Sequence, residues 1–305
     1  MDVIADWLSA ARVTGTLFSR SELTEAWGLR YPAAPRIAFH ILSRGRAYLR
    51  RPGTAAPPTA LGQGDVVLLT SGEAHELASS PGAPAIDLLA QLAAQPLGAD
   101  RTIRLGGGGA MTVMLCGAYG LDAANAGPLM SLLPPVVHLP AGEQEGTAVH
   151  ATLQLLLAET AAASGPSVVS RLVDVLLIYV LRAWSRGGVG AAATGWLRAL
   201  HDPCLACALA RVHDEPAREW TVEAMAEEAG LSRSAFARRF TATVGEAPLA
   251  YLTRWRLTLA ARILADGDAP LAAVAERVGY RSEFAFNRAF ARHHGVAPGR
   301  WRARA

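Results

Sequence analysis

Two arginines occupy matched positions in a block of sequence that occurs twice near the end of the chain. The first block reads TVEAMAEEAGLSRSAFARRFTATVGEAPLAYLTRWR, and the second reads PLAAVAERVGYRSEFAFNRAFARHHGVAPGRWRAR. Arg238 of the first block corresponds to Arg288 of the second. An arginine on an exposed helix can donate two parallel hydrogen bonds to guanine, and an asparagine such as Asn287 can pair in the same way with adenine. The repeat therefore predicts contact with nucleic-acid bases.

Each block has the pattern of two short helices joined by a tight turn. Gly230 and Gly279 stand where the first helix must end in a left-handed backbone conformation. Ser232 and Ser282 can each accept a hydrogen bond from the free amides that begin the second helix. Two phenylalanines spaced four residues apart anchor each second helix in the core: Phe236 with Phe240, and Phe286 with Phe290. This is the helix-turn-helix pattern, in which the second helix fits the major groove of DNA.

The polar face of each second helix predicts the residues that contact DNA. They are Arg233, Ser234, Ala237 and Arg238 in the first unit, and Ser282, Glu283, Asn287 and Arg288 in the second. A long amphipathic helix over residues 249–264 is predicted to connect the two units and to fix their separation. If both second helices enter successive major grooves on one face of DNA, they must lie roughly 34 Å apart.

Charge and length agree with this division of the chain. The 305 residues suffice for two compact domains. The net charge is only +3, but from residue 203 onward there are 15 arginines and 11 acidic residues. This excess of positive charge favours that region as the one that binds an anion. The first residues lack the apolar region of a secretory signal, and the longest apolar run, residues 172–184, is too short to span a bilayer. We expect a soluble, cytoplasmic protein with no membrane partner.

Residues 1–145 alternate short apolar runs with Gly- and Pro-rich breaks, which predicts the strands of a β-barrel. His40, His75 and Cys116 fall on predicted strands or strand ends. If they converge inside the barrel, two imidazoles and a thiolate would suit zinc or a similar divalent metal. Cys116 is also a candidate redox sensor, a role that requires an exposed thiolate. The alternative is an empty barrel with core histidines and a structural cysteine.

Residues 146–200 change to a helical periodicity and predict an antiparallel helix pair that links the two domains. Its apolar faces fit either a homodimer interface or packing against the barrel. The helix-turn-helix domain follows over residues 201–305. Three cysteines are too few for a disulfide framework, which indicates a reducing compartment. Cys204 and Cys207 form a C-x-x-C motif typical of zinc or thioredoxin-like sites, but without a second pair we expect them to pack in a core.

Residues 203–302 resemble the AraC/XylS family of bacterial transcription regulators, most clearly in VAERVGYRSEFAFNRAFARHHGVAPGRWR. The N-terminal region resembles the cupin-type sensor domain of one branch of that family, in WGLRYP, FHILSRGRAYL, LGQGDVVLLTSGEAHEL and LCGAYG. The resemblance implies an α+β fold, in which a cupin-like β-barrel and a helix pair precede an all-α domain of two helix-turn-helix units. It also implies base- and phosphate-contacting positions at Ser234, Ala237, Arg238, Glu283, Phe284, Asn287 and Arg288.

The sequence therefore predicts a transcription regulator that binds double-stranded promoter or operator DNA. A small molecule, a metal or a redox signal is expected to act on the barrel. The rival function, a metal-dependent cupin dioxygenase, needs a complete set of metal ligands that the first cupin motif lacks. An architectural DNA-binding protein would not need the large N-terminal part. The sequence does not distinguish a repressor from an activator, for which RNA polymerase would be a further partner.

Overall fold

The computed structural model describes residues 2–98, 100–120, 132–144, 146–162, 166–186 and 194–303, without the side chains of residues 17, 18 and 166. Contacts between Cα atoms divide these residues into two compact units. We call residues 14–120 and 133–186 the β unit, and residues 2–13, 132 and 194–303 the α unit. No helix among the described residues is long and apolar enough to cross a membrane.

The β unit contains two sheets. Its described strands are β1 (Thr14–Thr24), β2 (Gly28–Tyr31), β3 (Ile37–Arg44), β4 (Ala47–Arg50), β5 (Thr59–Leu61), β6 (Val66–Leu69), β7 (His75–Ala78), β8 (Ile86–Asp87), β9 (Thr102–Leu105), β10 (Met111–Gly120) and β11 (Val136–Leu139). The strand orders are β11-β6-β3-β10-β1-β9 and β5-β4-β7-β2-β8. β9 runs parallel to β1, and β8 runs parallel to β2. The other described pairs are antiparallel.

The two sheets share one hydrophobic core. Leu29 and Leu77 of the smaller sheet pack in the same buried cluster as Leu42, Val67 and Met114 of the larger sheet. The predicted α+β fold is confirmed, but the sheets are not closed into the predicted barrel. Alternating apolar residues specify strands with one buried face, whereas closure depends on which edge strands pair, and that information is not local in the sequence.

The helices of the β unit are α2 (Leu88–Ala94), α3 (Ala148–Ala161) and α4 (Pro166–Arg186), with a 3-10 turn at Ala141–Glu143. α4 packs against β1 and β10 because Gly15 leaves room for it: a Cβ atom on Gly15 would lie 2.3 Å from Val173 Cγ1. The Gly15 amide donates to Asp174 Oδ1 at 2.6 Å, and the Tyr119 hydroxyl donates to the Val173 carbonyl at 2.9 Å. The predicted helix pair is thus present and packs with the strands.

The α unit is all-helical in its described part. Its helices are α1 (Val3–Ala10), α5 (Gly195–Ala199), α6 (Pro203–Asp214), α7 (Val222–Glu228), α8 (Arg233–Val244), α9 (Pro248–Asp266), α10 (Leu271–Arg277), α11 (Glu283–His294) and α12 (Pro298–Arg302). α7 with α8, and α10 with α11, form the two predicted helix-turn-helix units. α9 is the predicted connecting helix, observed two residues longer at its C-terminal end and one at its N-terminal end.

The turn residues behave as their chemistry predicts. Gly230 and Gly279 have φ angles of +64° and +81°, a backbone conformation that glycine adopts without steric cost. The hydroxyl groups of Ser232 and Ser282 accept hydrogen bonds from the amides of Ala235 and Ala285, at 3.3 and 3.4 Å. The four phenylalanines at the predicted anchor positions are buried: Phe236, Phe240, Phe286 and Phe290. The second helix of each unit, α8 or α11, is therefore capped at its start and packed in the core along one face.

Helix α1 belongs to the α unit. The predicted domain boundaries at residues 145 and 200 placed these residues in the N-terminal domain instead. Trp7 of α1 is completely buried and stacks on Trp196 of α5, with 5.6 Å between ring centroids. Its indole nitrogen donates to the Tyr251 hydroxyl at 3.2 Å. Tyr251 lies 2.7 Å from His213 Nε2, and His213 Nδ1 lies 3.3 Å from Asp6 Oδ2. Burial lowers the pKa of His213 although Asp6 opposes that shift.

Candidate nucleic-acid interface

The two recognition helices, α8 and α11, each have one buried and one exposed face. The predicted contact positions lie on or beside the exposed face: Arg233, Ser234, Arg238, Ser282, Glu283, Phe284 and Arg288 are exposed, while Ala237 and Asn287 are partly buried. The buried faces carry the phenylalanines of the two cores. The predicted contact positions therefore lie away from the buried face of each helix, and their contact with DNA stays a prediction.

Arg238 and Arg288 are the arginines best suited to contact DNA directly. Both are exposed, and within the described part of the chain neither forms an ion pair with a carboxylate. Each guanidinium group therefore keeps its five N–H donors for phosphate or guanine. The Arg288 guanidinium lies 5.8 Å from the ring centroid of Phe284, which is 70% exposed. Phe284 thus adds an apolar surface beside a cation, which suits a thymine methyl group.

Other predicted contact residues already have a structural role. The hydroxyl of Ser282 caps α11. Arg233 Nε lies 2.7 Å from Glu223 Oε1 of α7, so this arginine is paired within its own unit. The Oδ1 atom of Asn287 is buried and has no hydrogen-bond partner among the described residues. Bidentate pairing of Asn287 with adenine would therefore require its amide group to reorient.

Asp202 connects helix α6 to the first recognition helix, a contact that the sequence pattern did not reveal. Its Oδ1 atom accepts hydrogen bonds from the amides of Cys204 and Leu205, at 3.1 and 3.3 Å, which caps α6. Its other oxygen accepts a hydrogen bond from Arg239 Nε of α8. The motif Asp-Pro before a helical stretch is a recognisable helix start, but its pairing with a residue 37 positions away is not.

Arg256 of the connecting helix lies between the segment before α7 and the turn of the second unit. The guanidinium of this half-buried arginine donates to the carbonyl groups of Pro216 and Arg218, at 2.7 and 2.8 Å. It passes directly under the second turn, where a Cβ atom on Gly279 would lie 2.5 Å from Arg256 Nη2. On the surface, Arg281 of that turn pairs with Glu219, which lowers the pKa of this glutamate. Both arginines therefore hold the second turn against the segment before α7.

The predicted metal ligands of the β unit do come together in the structure. His40 Nε2 lies 2.8 Å from His75 Nε2, and His40 Nδ1 lies 3.1 Å from Cys116 Sγ. The ring of Tyr31 stacks on His75 at 4.8 Å, and its hydroxyl is 3.5 Å from Cys116 Sγ. All four side chains are buried. They form a hydrogen-bonded chain in the core between the two sheets.

This arrangement does not fit a metal ion as it stands. Cys116 and His75 contact opposite nitrogens of the His40 ring, so the three donors do not converge on one point. Among the described residues, no group of three or more His, Cys, Asp or Glu side chains is arranged to hold a metal. The metal site therefore stays a prediction.

The electrostatics of this cluster favour neutral side chains. Burial, together with the neighbouring His75, lowers the pKa of His40. Burial lowers the pKa of His75 to about 4, although a hydrogen bond to the Glu73 carbonyl opposes that shift. Burial also raises the pKa of Cys116 to about 11. A redox-reactive cysteine needs the reverse, an exposed group with a lowered pKa, so the environment of Cys116 disfavours its predicted redox role.

The C-x-x-C motif differs from its prediction. Cys207 is exposed and Cys204 is partly exposed, both at the start of α6. The buried face of this helix is formed instead by Leu205, Ala208, Leu209, Val212 and His213. The predicted core role of the two cysteines is therefore wrong, because helical spacing places them together but does not say which face turns inward.

Comparisons with known proteins extend over both units. A family model described as Cupin matches residues 2–186, and one described as Helix-turn-helix domain matches residues 225–304. A putative AraC-like transcription regulator of Streptomyces antibioticus is 37% identical, over 99% of this chain and 98% of the relative. The HTH-type transcriptional regulator MtrA of Neisseria gonorrhoeae is 30% identical, over 99% of this chain and 98% of the relative.

A solved structure of the DNA-binding domain of AdpA, a global transcriptional factor in complex with a target DNA, is 36% identical. The likeness covers 33% of this chain and 91% of that chain, with a TM-score of 0.32. The predicted resemblance is confirmed by the family models and by the full-length relatives, which are transcription regulators and not enzymes. The chain belongs to the AraC family, as a DNA-binding transcription regulator with an N-terminal cupin domain and a C-terminal helix-turn-helix domain.

Proposed function

We propose that this regulator reads a specific operator through α8 and α11 and that an effector bound to the β unit controls this binding. The observation that carries the first part is the pair of exposed arginines at equivalent positions of the two units, Arg238 and Arg288, which form no ion pair with any described carboxylate. Direct contact with base edges gives specificity, whereas contact with phosphate gives mainly affinity. The two arginines therefore determine whether the protein discriminates among sequences.

Selection of duplexes from a random library by the purified protein, followed by genomic footprinting, tests this proposal. We expect enrichment of one motif with two half-sites about one helical turn apart. Repeating the selection with Arg288→Ala should relax one half-site and leave the other intact. If both proteins enrich no motif, or the same motif, sequence reading by α11 is rejected.

A pocket in the β unit supports binding of a small organic effector. It lies between β3 and α3, has a volume of about 330 Å³, and is lined by apolar Ile41, Leu153 and Leu157 with polar Ser43 and Gln154. Pockets of this size, with mostly apolar walls and a few polar groups, are typical of small-molecule sites. Because α3 forms one wall of the pocket, a bound molecule would contact the helix pair directly.

Ligand screening, together with a variant whose larger side chain fills the pocket, tests whether this pocket binds an effector. A thermal-shift screen of small organic acids, amides and alcohols should find compounds that stabilise the protein, and Leu153→Trp should abolish those shifts. Leu89→Trp, on the exposed face of α2, is the matched control. The alternative, a metal effector, is tested by measuring the metal content of protein purified without a histidine tag. The wild type is compared with the His75→Ala variant. Metal in the first sample alone would favour a metal effector over an organic one.

We also propose that the helix pair mediates a homodimer. Leu155 of α3 and Val168 and Val175 of α4 are exposed, and the two valines lie two turns apart on one helix face. An apolar stripe at this spacing favours helix–helix association. Val175→Asp should convert a dimer into a monomer in light scattering, whereas Leu89→Asp should not. A wild-type protein that is monomeric at assay concentration rejects the dimer.

A regulator of this kind acts where the chromosome is, so we expect it in the cytoplasm. Activation rather than repression would require a productive contact with RNA polymerase. Transcription in vitro from a footprinted promoter, with and without the regulator, decides between the two modes of action. An increase in transcript supports activation, and a decrease supports repression.

A further inference from the structure

Two cysteines lie at the outer surface of the first turn of α6. This helix begins at Pro203, so Cys204 is its second residue and Cys207 follows three positions later. Cys207 is exposed and Cys204 partly exposed, whereas Leu205 between them is completely buried. Residues three apart in an α-helix have Cα atoms about 5 Å apart, which is within the span of a disulfide. An intramolecular disulfide between these cysteines is therefore within reach.

Closing that disulfide would distort the first turn. In a helix the Cβ atoms of such residues lie about 5–6 Å apart, whereas a disulfide holds them at about 3.5–4.5 Å. The turn must therefore contract by about 1–2 Å. Its inner face cannot follow, because Leu205, Ala208 and Leu209 are packed in the core. The contraction consequently falls on the residues that precede Leu205.

Among the residues that precede Leu205 is Asp202, which links this turn to the first recognition helix, α8. One carboxylate oxygen accepts a hydrogen bond from the amide of Cys204, at 3.1 Å. The other accepts a hydrogen bond from Arg239, the neighbour of the predicted DNA contact Arg238. The carboxylate is largely buried, with 15% of the Asp202 side chain exposed. A shift of the Cys204 amide therefore changes the position of a group that holds α8.

We propose that Cys204 and Cys207 are a dithiol switch whose oxidation to a disulfide weakens DNA binding through Asp202 and Arg239. The oxidant is a peroxide. The exposed Cys207 sulfur attacks one peroxide oxygen, the O–O bond breaks, and a sulfenic acid and water form. The Cys204 sulfur then attacks the sulfenic sulfur, and the S–O bond breaks to release a second water. Two thiols are oxidised, one hydrogen peroxide is reduced, and a dithiol reductant reverses the reaction.

The chemistry can be measured separately from DNA binding. Cleavage after Arg198 and Arg211 releases the peptide of residues 199–211, which contains both of these cysteines and not Cys116. After hydrogen peroxide treatment of the full-length protein, we expect this peptide to lose two hydrogens and to resist alkylation. Hydrogen exchange without DNA should increase at residues 202–205 and 233–244. Unmodified thiols, or disulfides only between molecules, would overturn the proposal.

The effect on function rests on the DNA binding already assigned to this family. For a duplex selected by the reduced protein, oxidation should weaken affinity about tenfold, the equivalent of one lost helix cap, and dithiothreitol should restore it. Cys204→Ser and Cys207→Ser should not respond, whereas Cys116→Ser should respond like the wild type. Equal loss of affinity in the Cys204→Ser and Cys207→Ser variants would exclude the switch. A reduced protein that binds no duplex would instead contradict the DNA-binding assignment, while the peptide result would still stand.

Discussion

The two helix-turn-helix units have the same framework but different supports. In the first unit, α7 begins with the side-chain cap of Thr221, and a Cβ atom on Gly230 would have no heavy atom within 4 Å. In the second, α10 begins after Pro270, which provides no side-chain cap, and the turn at Gly279 is packed on Arg256. The two units therefore differ at these two points: a local side-chain cap starts α7, whereas the second turn packs on a side chain of the connecting helix.

This difference shows that a repeated motif does not imply repeated energetics. Both glycines satisfy the same backbone requirement, but only one of them also makes room for a neighbouring side chain. Substitutions at matched positions should consequently have unequal effects, and each pair of variants below supplies its own control. The pairs are ordered from the largest expected effect to the smallest.

The two turn glycines should differ most. Gly279→Ala combines a left-handed backbone with a steric conflict against Arg256, so we expect a loss of about 3 kcal/mol in the free energy of unfolding. Gly230→Ala has the backbone cost alone, about 1–2 kcal/mol. Urea unfolding followed by tryptophan fluorescence measures both values. Equal losses would mean that the second turn is not locked by the connecting helix.

The two arginines of the recognition helices should instead behave alike. Arg238→Ala and Arg288→Ala should each weaken binding to a selected duplex by about 1–3 kcal/mol and should reduce the salt dependence of binding. If the helices occupy separate grooves, the double variant should show nearly additive effects. Mobility-shift titrations at several salt concentrations provide these numbers. Unchanged affinity and selectivity in either single variant would remove that arginine from the interface.

Replacing the residue before the first helix of each unit should also change the stability of the two units unequally, but by less than the glycine substitutions do. Thr221→Ala removes the hydrogen bond to the amide of Ala224, at 3.1 Å, and should cost about 1 kcal/mol of stability. Pro270→Ala removes no side-chain hydrogen bond, so its cost should be at most half as large. The same urea titration applies. A larger loss for the proline variant would reverse the assignment of local and non-local support.

The surface ion pairs should matter least for stability. Arg233 pairs with Glu223 inside the first unit, and Arg281 pairs with Glu219 beside the second, all with exposed side chains. Because water and salt screen exposed charges, Arg233→Ala and Arg281→Ala should leave the urea midpoint unchanged within error. A clear shift for Arg281→Ala alone would show that the second unit also depends on its surface contact.

The sequence predicted the local part of this structure well. Gly230, Gly279, Ser232 and Ser282 act through the backbone of their own turns, so their roles follow from residue type and spacing. The packing of Arg256 under Gly279 and the pairing of Asp202 with Arg239 join distant segments, and nothing in the spacing indicates them. Helix α1 was missed, because residues 1–145 were predicted to form strands, whereas Val3, Ile4, Trp7 and Leu8 lie on the buried face of a helix.

The candidate site in the β unit shows the same limit. Residue types and strand positions allowed His40, His75 and Cys116 to converge, and their side chains are in contact in the structure. Coordination depends on where each ring nitrogen and the sulfur are directed, and hydrogen bonds settle that direction within the folded core. The number of sheets and their edges was likewise not available from alternation alone.

Helix α1 places residues 2–13 in the same folded unit as residues 194–303. A fragment that begins near residue 194, a natural place to cut such a domain, would lack Trp7 and uncover the aromatic surface of Trp196, Tyr251 and Trp255. Chimeras that exchange sensor domains between related regulators should therefore keep the first 13 residues from the same parent as the DNA-reading part. In the chain, the sensor is thus preceded and followed by residues of the α unit.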